Sequence, residues 1–213
     1  MSAVAQPAQP IVFYGFPKSG HAHRVGLFLS LLDLPHEEIV IDLANKQQKQ
    51  PEFLELNGFG QVPVIDDAGT IVADSNAILV YLAIRYADES WLPRDPASAA
   101  QVQRWLSVAA GQIAAGPAAA RMVTVFGAPF DHDRTKAIAD ALFAIMERHL
   151  TDRLFLVGNG PTIADIAGYS YIAHAPEGGV SLAPYPHIRA WLARIEALPR
   201  FVAMPATKAG LAA

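Results

Sequence analysis

The period of the apolar residues changes once along this chain, near Tyr86, and that change limits the fold more than any single residue does. Before it, short β-rich runs alternate with helical spacing. Residues 11–16 (IVFYGF) read as a strand, broken by Pro17, Lys18, Ser19 and Gly20. Val25, Phe28, Leu29 and Leu32 then recur at i, i+3, i+4 and i+7, a helix that Pro35 ends. Ile39, Ile41 and Leu43 alternate with Val40 and Asp42 as a second strand. Residues 51–57 (PEFLELN) predict a short helix with Pro in its first turn. Residues 62–65 and 70–73 predict two strands around the turn Asp66-Asp67-Ala68-Gly69. A helix from about Ser75 places Ile78, Tyr81 and Leu82 on one side. The order βαβ, α, ββ, α implies a parallel pair with a right-handed crossover, extended by an antiparallel hairpin.

Beyond Tyr86, residues 88–96 (DESWLPRDP) carry two prolines and read as a linker. After them only helical periodicity appears, over residues 97–116, 135–150, 162–174 and 186–198. The last of these puts Ile188, Leu192 and Ile195 on one face. The expected organisation is therefore a mobile tail over 1–10, an α/β domain over 11–87, a linker over 88–96 and an all-α bundle over 97–213. Hydrophobic residues at 52% against charged residues at 17% argue for a folded chain. No run of about 18 apolar residues predicts a membrane span, and residues 1–10 lack the basic and apolar regions of an export signal. The cytoplasm is the expected compartment. A net charge of −4 without a basic stripe argues against nucleic acid as a partner. The absence of cysteine excludes disulfides, cysteine-ligated metal and a cysteine nucleophile.

Several residues stand where chemistry is plausible. Pro63 opens a strand, although proline cannot donate to a ladder. An ordinary trans proline at a strand start is one reading. A cis Val62-Pro63 bond, which would turn the Val62 backbone toward a ligand, is the other. Asp74-Ser75 lies at a strand-to-helix junction, where the first N–H groups can be capped or can bind an anion. Ser19-Gly20 lies at the other such junction. Ser19 has no triad around it, so it reads as a turn, a cap or a hydroxyl donor rather than a covalent nucleophile. His21 and His23, two apart, do not face each other on a helix, and no carboxylate or cysteine cluster joins them, so no metal site is expected. Residues 162–165 (TIAD) read as a structural capping box.

Taken together, residues 61–65 (QVPVI), 74–82 (DSNAILVYL), 51–57 (PEFLELN) and 19–25 (SGHAHRV) resemble the glutathione-binding half of the cytosolic glutathione transferases, in their serine-type, theta-like and bacterial forms. Residues 161–167 (PTIADIA) are similar to the capping box of that family's helical half. The resemblance implies a thioredoxin-like N-terminal domain followed by an all-helical C-terminal domain, and it favours the cis form of Pro63. It implies glutathione as co-substrate, a small hydrophobic electrophile or a peroxide as the second substrate, no metal, and a homodimer.

Residue by residue, the resemblance implies that Val62, before Pro63, pairs with the cysteinyl backbone of glutathione. Asp74 and Ser75 meet its γ-glutamyl end, Gln48 and Lys49 its glycyl carboxylate, and Gln61 adds a contact. Ser19 donates its hydroxyl to the sulfur. Tyr14 is the rival donor, but it falls one position early and should face the other side of the sheet. His21 and His23 are accessory candidates. Phe16, Arg121, Met122, Val125 and Phe126 are candidates for an electrophile pocket between the halves. The physical task is ionisation. A free thiol with a pKa of ~8.5 is only about 3% thiolate at neutral pH. Two units of lowering need about 2.7 kcal/mol, within reach of one hydrogen bond to a charged acceptor. A non-catalytic ligand-binding or interaction module with the same fold is the alternative. Retention of Gln61, Val62, Asp74 and Ser75 favours the enzyme.

Overall fold

A computed structural model describes residues 6–209. The chain forms two compact units. One comprises the residues up to Leu92 together with Pro199–Met204, and the other runs from Pro93 to Leu198 and resumes at Pro205. The first five residues of the expected mobile tail lie outside the described residues, and residues 6–10 carry no regular structure.

In the first unit β1 (Ile11–Gly15) is followed by α1 (Gly20–Leu31) and β2 (His36–Val40). A 3₁₀ turn (Gln47–Lys49) and α2 (Pro51–Leu56) lead to β3 (Val64–Asp67), β4 (Thr70–Ala73) and α3 (Ser75–Tyr86). The sheet order is β2-β1-β3-β4, with β1 parallel to β2 and the other pairs antiparallel. This is the βαβ-α-ββα order read from the sequence, in a thioredoxin-like domain. The strand starts differ in two places. β2 starts at His36, opposite Ile11, rather than near Ile39. It is an exposed edge strand, so it carries no burial alternation to announce its start. β3 starts at Val64 rather than Val62, because the ladder can begin only after Pro63.

Alternation along β1 sends neighbouring side chains to opposite faces. Phe13 faces α1, where a Cβ on Gly26 would touch its ring at 3.4 Å. Val25, Phe28 and Leu29 of α1 and Ile78, Leu79 and Leu82 of α3 are buried there. On the other face Tyr14, Ile41, Phe53 and Val64 form a second cluster. Pro199–Met204 belongs to this unit through α1. Ser30 Oγ donates to the Arg200 carbonyl at 2.7 Å, and Arg200 pairs with Asp33 at 2.8 Å.

The second unit is helical. Its elements are α4 (Pro96–Val108), a π-helical segment (Ala109–Ala118), α5 (Ala119–Phe126), α6 (His132–His149), α7 (Ile163–Ala173), a 3₁₀ turn (Ala175–Gly178) and α8 (Pro186–Glu196). The helical run expected to stop at residue 116 continues to Phe126, past Pro117. Proline removes an N–H and crowds the preceding turn, and the wider π turn accommodates both. Asp165 ties α7 to its surroundings. Its carboxylate accepts the N–H groups of Thr162 and Leu156 and the Trp191 indole N–H, at 2.8, 2.9 and 2.9 Å. The Thr162 capping box is present as expected. Glu147 on α6 accepts the N–H groups of His187 and Ile188, which caps α8 from outside. Among the described residues no helix is long and apolar enough to cross a membrane.

Candidate functional site

Two helix starts and one loop of the first unit hold most of the residues singled out above. At the first start, Ser19 is the N-cap of α1. Its backbone is extended (φ −87°, ψ 116°), and its Oγ accepts the Ala22 N–H at 3.2 Å. A capping serine uses a lone pair of its oxygen, so its hydroxyl hydrogen is left to be placed elsewhere.

At the second start, Asp74 rather than Ser75 is the cap of α3. Asp74 sits at φ 74°, ψ 128°, a region that strains a residue with a Cβ. Its Oδ1 accepts the N–H groups of Asn76 and Ala77 at 2.9 and 3.0 Å, and the second carboxylate oxygen makes neither of these bonds. Ser75 is the first helical residue and only 3% exposed. Its Oγ accepts from Arg24 Nη1 at 3.2 Å and lies 3.2 Å from His21 Nδ1. The same Arg24 nitrogen donates to Asn76 Oδ1 at 2.9 Å. Burial, with the Arg24 charge adding to it, holds the His21 imidazole down to about 3, so the ring is neutral at physiological pH.

The loop is built around Val62-Pro63, whose peptide bond is cis. Asn57 holds the approach to it. Asn57 Nδ2 donates to the Gln61 carbonyl at 2.8 Å, and its Oδ1 accepts the Phe59 N–H at 3.1 Å. The Gln47–Lys49 turn closes on this loop. Lys49 Nζ donates to the Phe59 carbonyl at 2.9 Å. Gly60, at φ +58°, allows the closure, because a Cβ there would lie 2.6 Å from the Gln48 carbonyl oxygen. The Gln48 Oε1 is buried without a hydrogen-bond partner. Gln48, Lys49, Gln61 and Val62 thus come into one loop cluster.

Other candidates stand apart. Tyr14 packs edge-on against Phe53, with ring centroids 6.3 Å apart, on the sheet face away from α1. His23 turns its Nε2 to the Val202 carbonyl at 2.8 Å. Phe16 is half-buried in the turn before Ser19 and belongs to the first unit. In the second unit Met122, Val125 and Phe126 fall at i, i+3 and i+4 on α5, with Met122 and Phe126 exposed. Arg121, beside them in sequence, is 1% exposed and paired with Glu177 at 2.5 Å inside the helical core. Among the described residues no group of three or more His, Cys, Asp or Glu could hold a metal ion.

Sequence reasoning missed Arg24 and Asn57. The signal for Arg24 was available: it stands at i−4 from Phe28, on the apolar stripe of α1, and a charged side chain is rarely buried without partners. Asn57 closes the short helix motif, but nothing local shows that it reaches Gln61. Taken as chemistry, the α3 start offers a carboxylate beside a buried hydroxyl backed by a cation. That pattern suits a ligand carrying an amine and a carboxylate on one carbon. The α1 start offers a neutral hydroxyl donor.

Two family models match the chain: the glutathione S-transferase N-terminal domain over residues 19–84 and the glutathione S-transferase C-terminal domain over residues 131–199. The chain is 34% identical to glutathione S-transferase 3 of Zea mays over 207 residues, covering 90% of this chain and 91% of that protein. A crystal structure of a glutathione S-transferase from Pseudomonas fluorescens superposes with a TM-score of 0.87 at 32% identity, covering 92% of this chain and 99% of that one. A glutathione transferase homologue from Drosophila mojavensis, solved with bound glutathione, superposes with a TM-score of 0.78 at 29% identity, covering 89% of each chain.

Proposed function

The chain belongs to the glutathione S-transferase family, and from that membership we propose how its residues divide the work of an enzyme that takes glutathione as co-substrate. The γ-glutamyl end docks at the start of α3. Its ammonium meets the Asp74 carboxylate oxygen that does not cap the helix, and its carboxylate meets Ser75. The cysteinyl backbone pairs with Val62, and Gln61 borders it. The glycyl carboxylate meets Gln48 and Lys49, which the Gly60 loop holds close together. Ser19, with its oxygen already serving the α1 cap, gives its hydroxyl hydrogen to the thiolate. The α1 N-terminus adds about 0.3–1 kcal/mol to that single bond's ~1.5–3 kcal/mol.

The observation that carries this reading is the buried Ser75 hydroxyl held at a helix start beside the strained Asp74 cap. Tyr14 remains the rival thiol donor, and its packing against Phe53 supports Ser19 instead. The second substrate is a small hydrophobic electrophile or a peroxide. The protein works as a cytoplasmic homodimer, the arrangement the family resemblance implies.

The test is calorimetric titration with glutathione on the wild type, Ser75→Ala and Ser19→Ala, followed by the conjugation rate with an activated chloroarene. Ser75→Ala is expected to weaken binding about 10- to 100-fold. Ser19→Ala is expected to bind nearly as well but to raise the pKa of the bound thiol by about one to two units, read from thiolate absorbance. Equal loss of affinity in the two variants would overturn the division of roles. A wild type that ignores millimolar glutathione would overturn the whole reading.

A further inference from the structure

Ser75 holds the ligand in the reading above, yet its own oxygen is held by groups that reading does not use. Arginine can only donate hydrogen bonds. The 3.2 Å contact from Arg24 Nη1 therefore makes Ser75 Oγ an acceptor and leaves its hydroxyl hydrogen to go elsewhere. His21 Nδ1, also 3.2 Å away, and an incoming carboxylate are the places it can go. A carboxylate is the stronger acceptor of the two. Arg24 is itself fixed: it is 0% exposed, seated on the buried face of α1, and its Nη1 is shared with Asn76 Oδ1 at 2.9 Å. Guanidinium keeps its charge at all working pH values. Its charge therefore lies one side chain behind the place where a ligand carboxylate would dock, and it offsets the repulsion from Asp74 on the same helix cap.

We propose that Arg24 is a positioning residue for glutathione: through Nη1 it fixes the Ser75 hydroxyl as a donor and supplies the cation that the γ-glutamyl carboxylate requires beside Asp74. His21 accepts the hydroxyl hydrogen before the ligand arrives and releases it on binding. The inference rests on the placement of the γ-glutamyl end proposed above. Arg24 acts at the end of the ligand remote from the sulfur. Its removal should therefore change affinity, and leave the ionisation of the bound thiol alone.

The experiment compares two probes on the full chain: glutathione, and γ-aminobutyryl-cysteinyl-glycine, which keeps the amine and the thiol but lacks the γ-glutamyl carboxylate. Arg24→Met is expected to weaken glutathione about 10- to 100-fold, to change the affinity for the analogue by less than about threefold, and to leave the bound-thiol pKa and the kcat at saturating glutathione at the wild-type values. Arg24→Lys, which keeps the charge and loses the planar fork, should restore part of the glutathione affinity. Equal weakening of both probes, no weakening of either, or a shifted thiol pKa would overturn the proposal. Should Arg24→Met not fold, Arg24→Lys decides alone: a loss confined to glutathione supports the proposal, and an equal loss on both probes ends it. Ser75→Ala separates the two levels. If it leaves glutathione binding intact, the docking of the γ-glutamyl end falls and this inference falls with it. If it abolishes binding while the Arg24 variants show no selectivity between the probes, only this inference falls.

Discussion

His21 shows how one half-buried ring ties stability to pH. Its pKa is held down from 6.5 to about 3 in the folded chain, first by burial and then by the Arg24 charge. Between those values the unfolded chain binds a proton that the folded chain does not, so stability rises with pH. The contribution is complete above 6.5 and is lost progressively as pH falls toward 3. His21→Asn is expected to flatten the slope of the urea midpoint against pH in that window, relative to the wild type. A slope identical to the wild type's would mean that the ring does not couple to folding. At this scale the sequence was legible where a residue acts on its near neighbours. Ser19 and Asp74 serve caps whose partners lie two or three residues away. Ser75 was legible as a helix-start residue, but its partners Arg24 and His21 lie 51 and 54 positions away, and no local pattern names them.

The long helical run of the second unit turns on two glycines. A Cβ on Gly116 would lie 2.9 Å from the Ala139 backbone nitrogen of α6, so this glycine lets the π-helical segment and α6 touch at backbone distance. Gly111, in the same segment, has nothing within 4 Å of such a Cβ. Gly116→Ala is expected to lower stability by about 1–3 kcal/mol through overpacking. Gly111→Ala is expected to raise it by about 0.5–1 kcal/mol through helix propensity. Thermal unfolding of the two variants checks the contrast, and an equal effect would mean that the close approach to α6 carries no weight. The sequence placed helices over this region but stopped the first of them at residue 116, one residue before Pro117. Packing against α6 keeps the run helical through it.

For the whole molecule the prediction is association. Phe59 is 82% exposed and Ile84 68% exposed in the first unit, large apolar side chains of the kind a second copy of the chain would cover. Sedimentation at micromolar concentration is expected to give a mass near twice the 22.8 kDa of one chain, and a single-chain mass would remove the homodimer from the proposed function. The sequence by itself determined the order of elements, the change from mixed to all-helical structure, and the starts of α1, α3 and α7. Each of these is written in periodicity, a cap or a proline within a few residues, and such signals act before the chain has any distant contact. Tertiary structure alone decided where β2 begins, since its register comes from β1. It also decided that Pro199–Met204 joins the first unit and that Arg24 and His21 meet Ser75. Those outcomes depend on surfaces that exist only after the helices have packed on the sheet, and no stretch of sequence carries them alone.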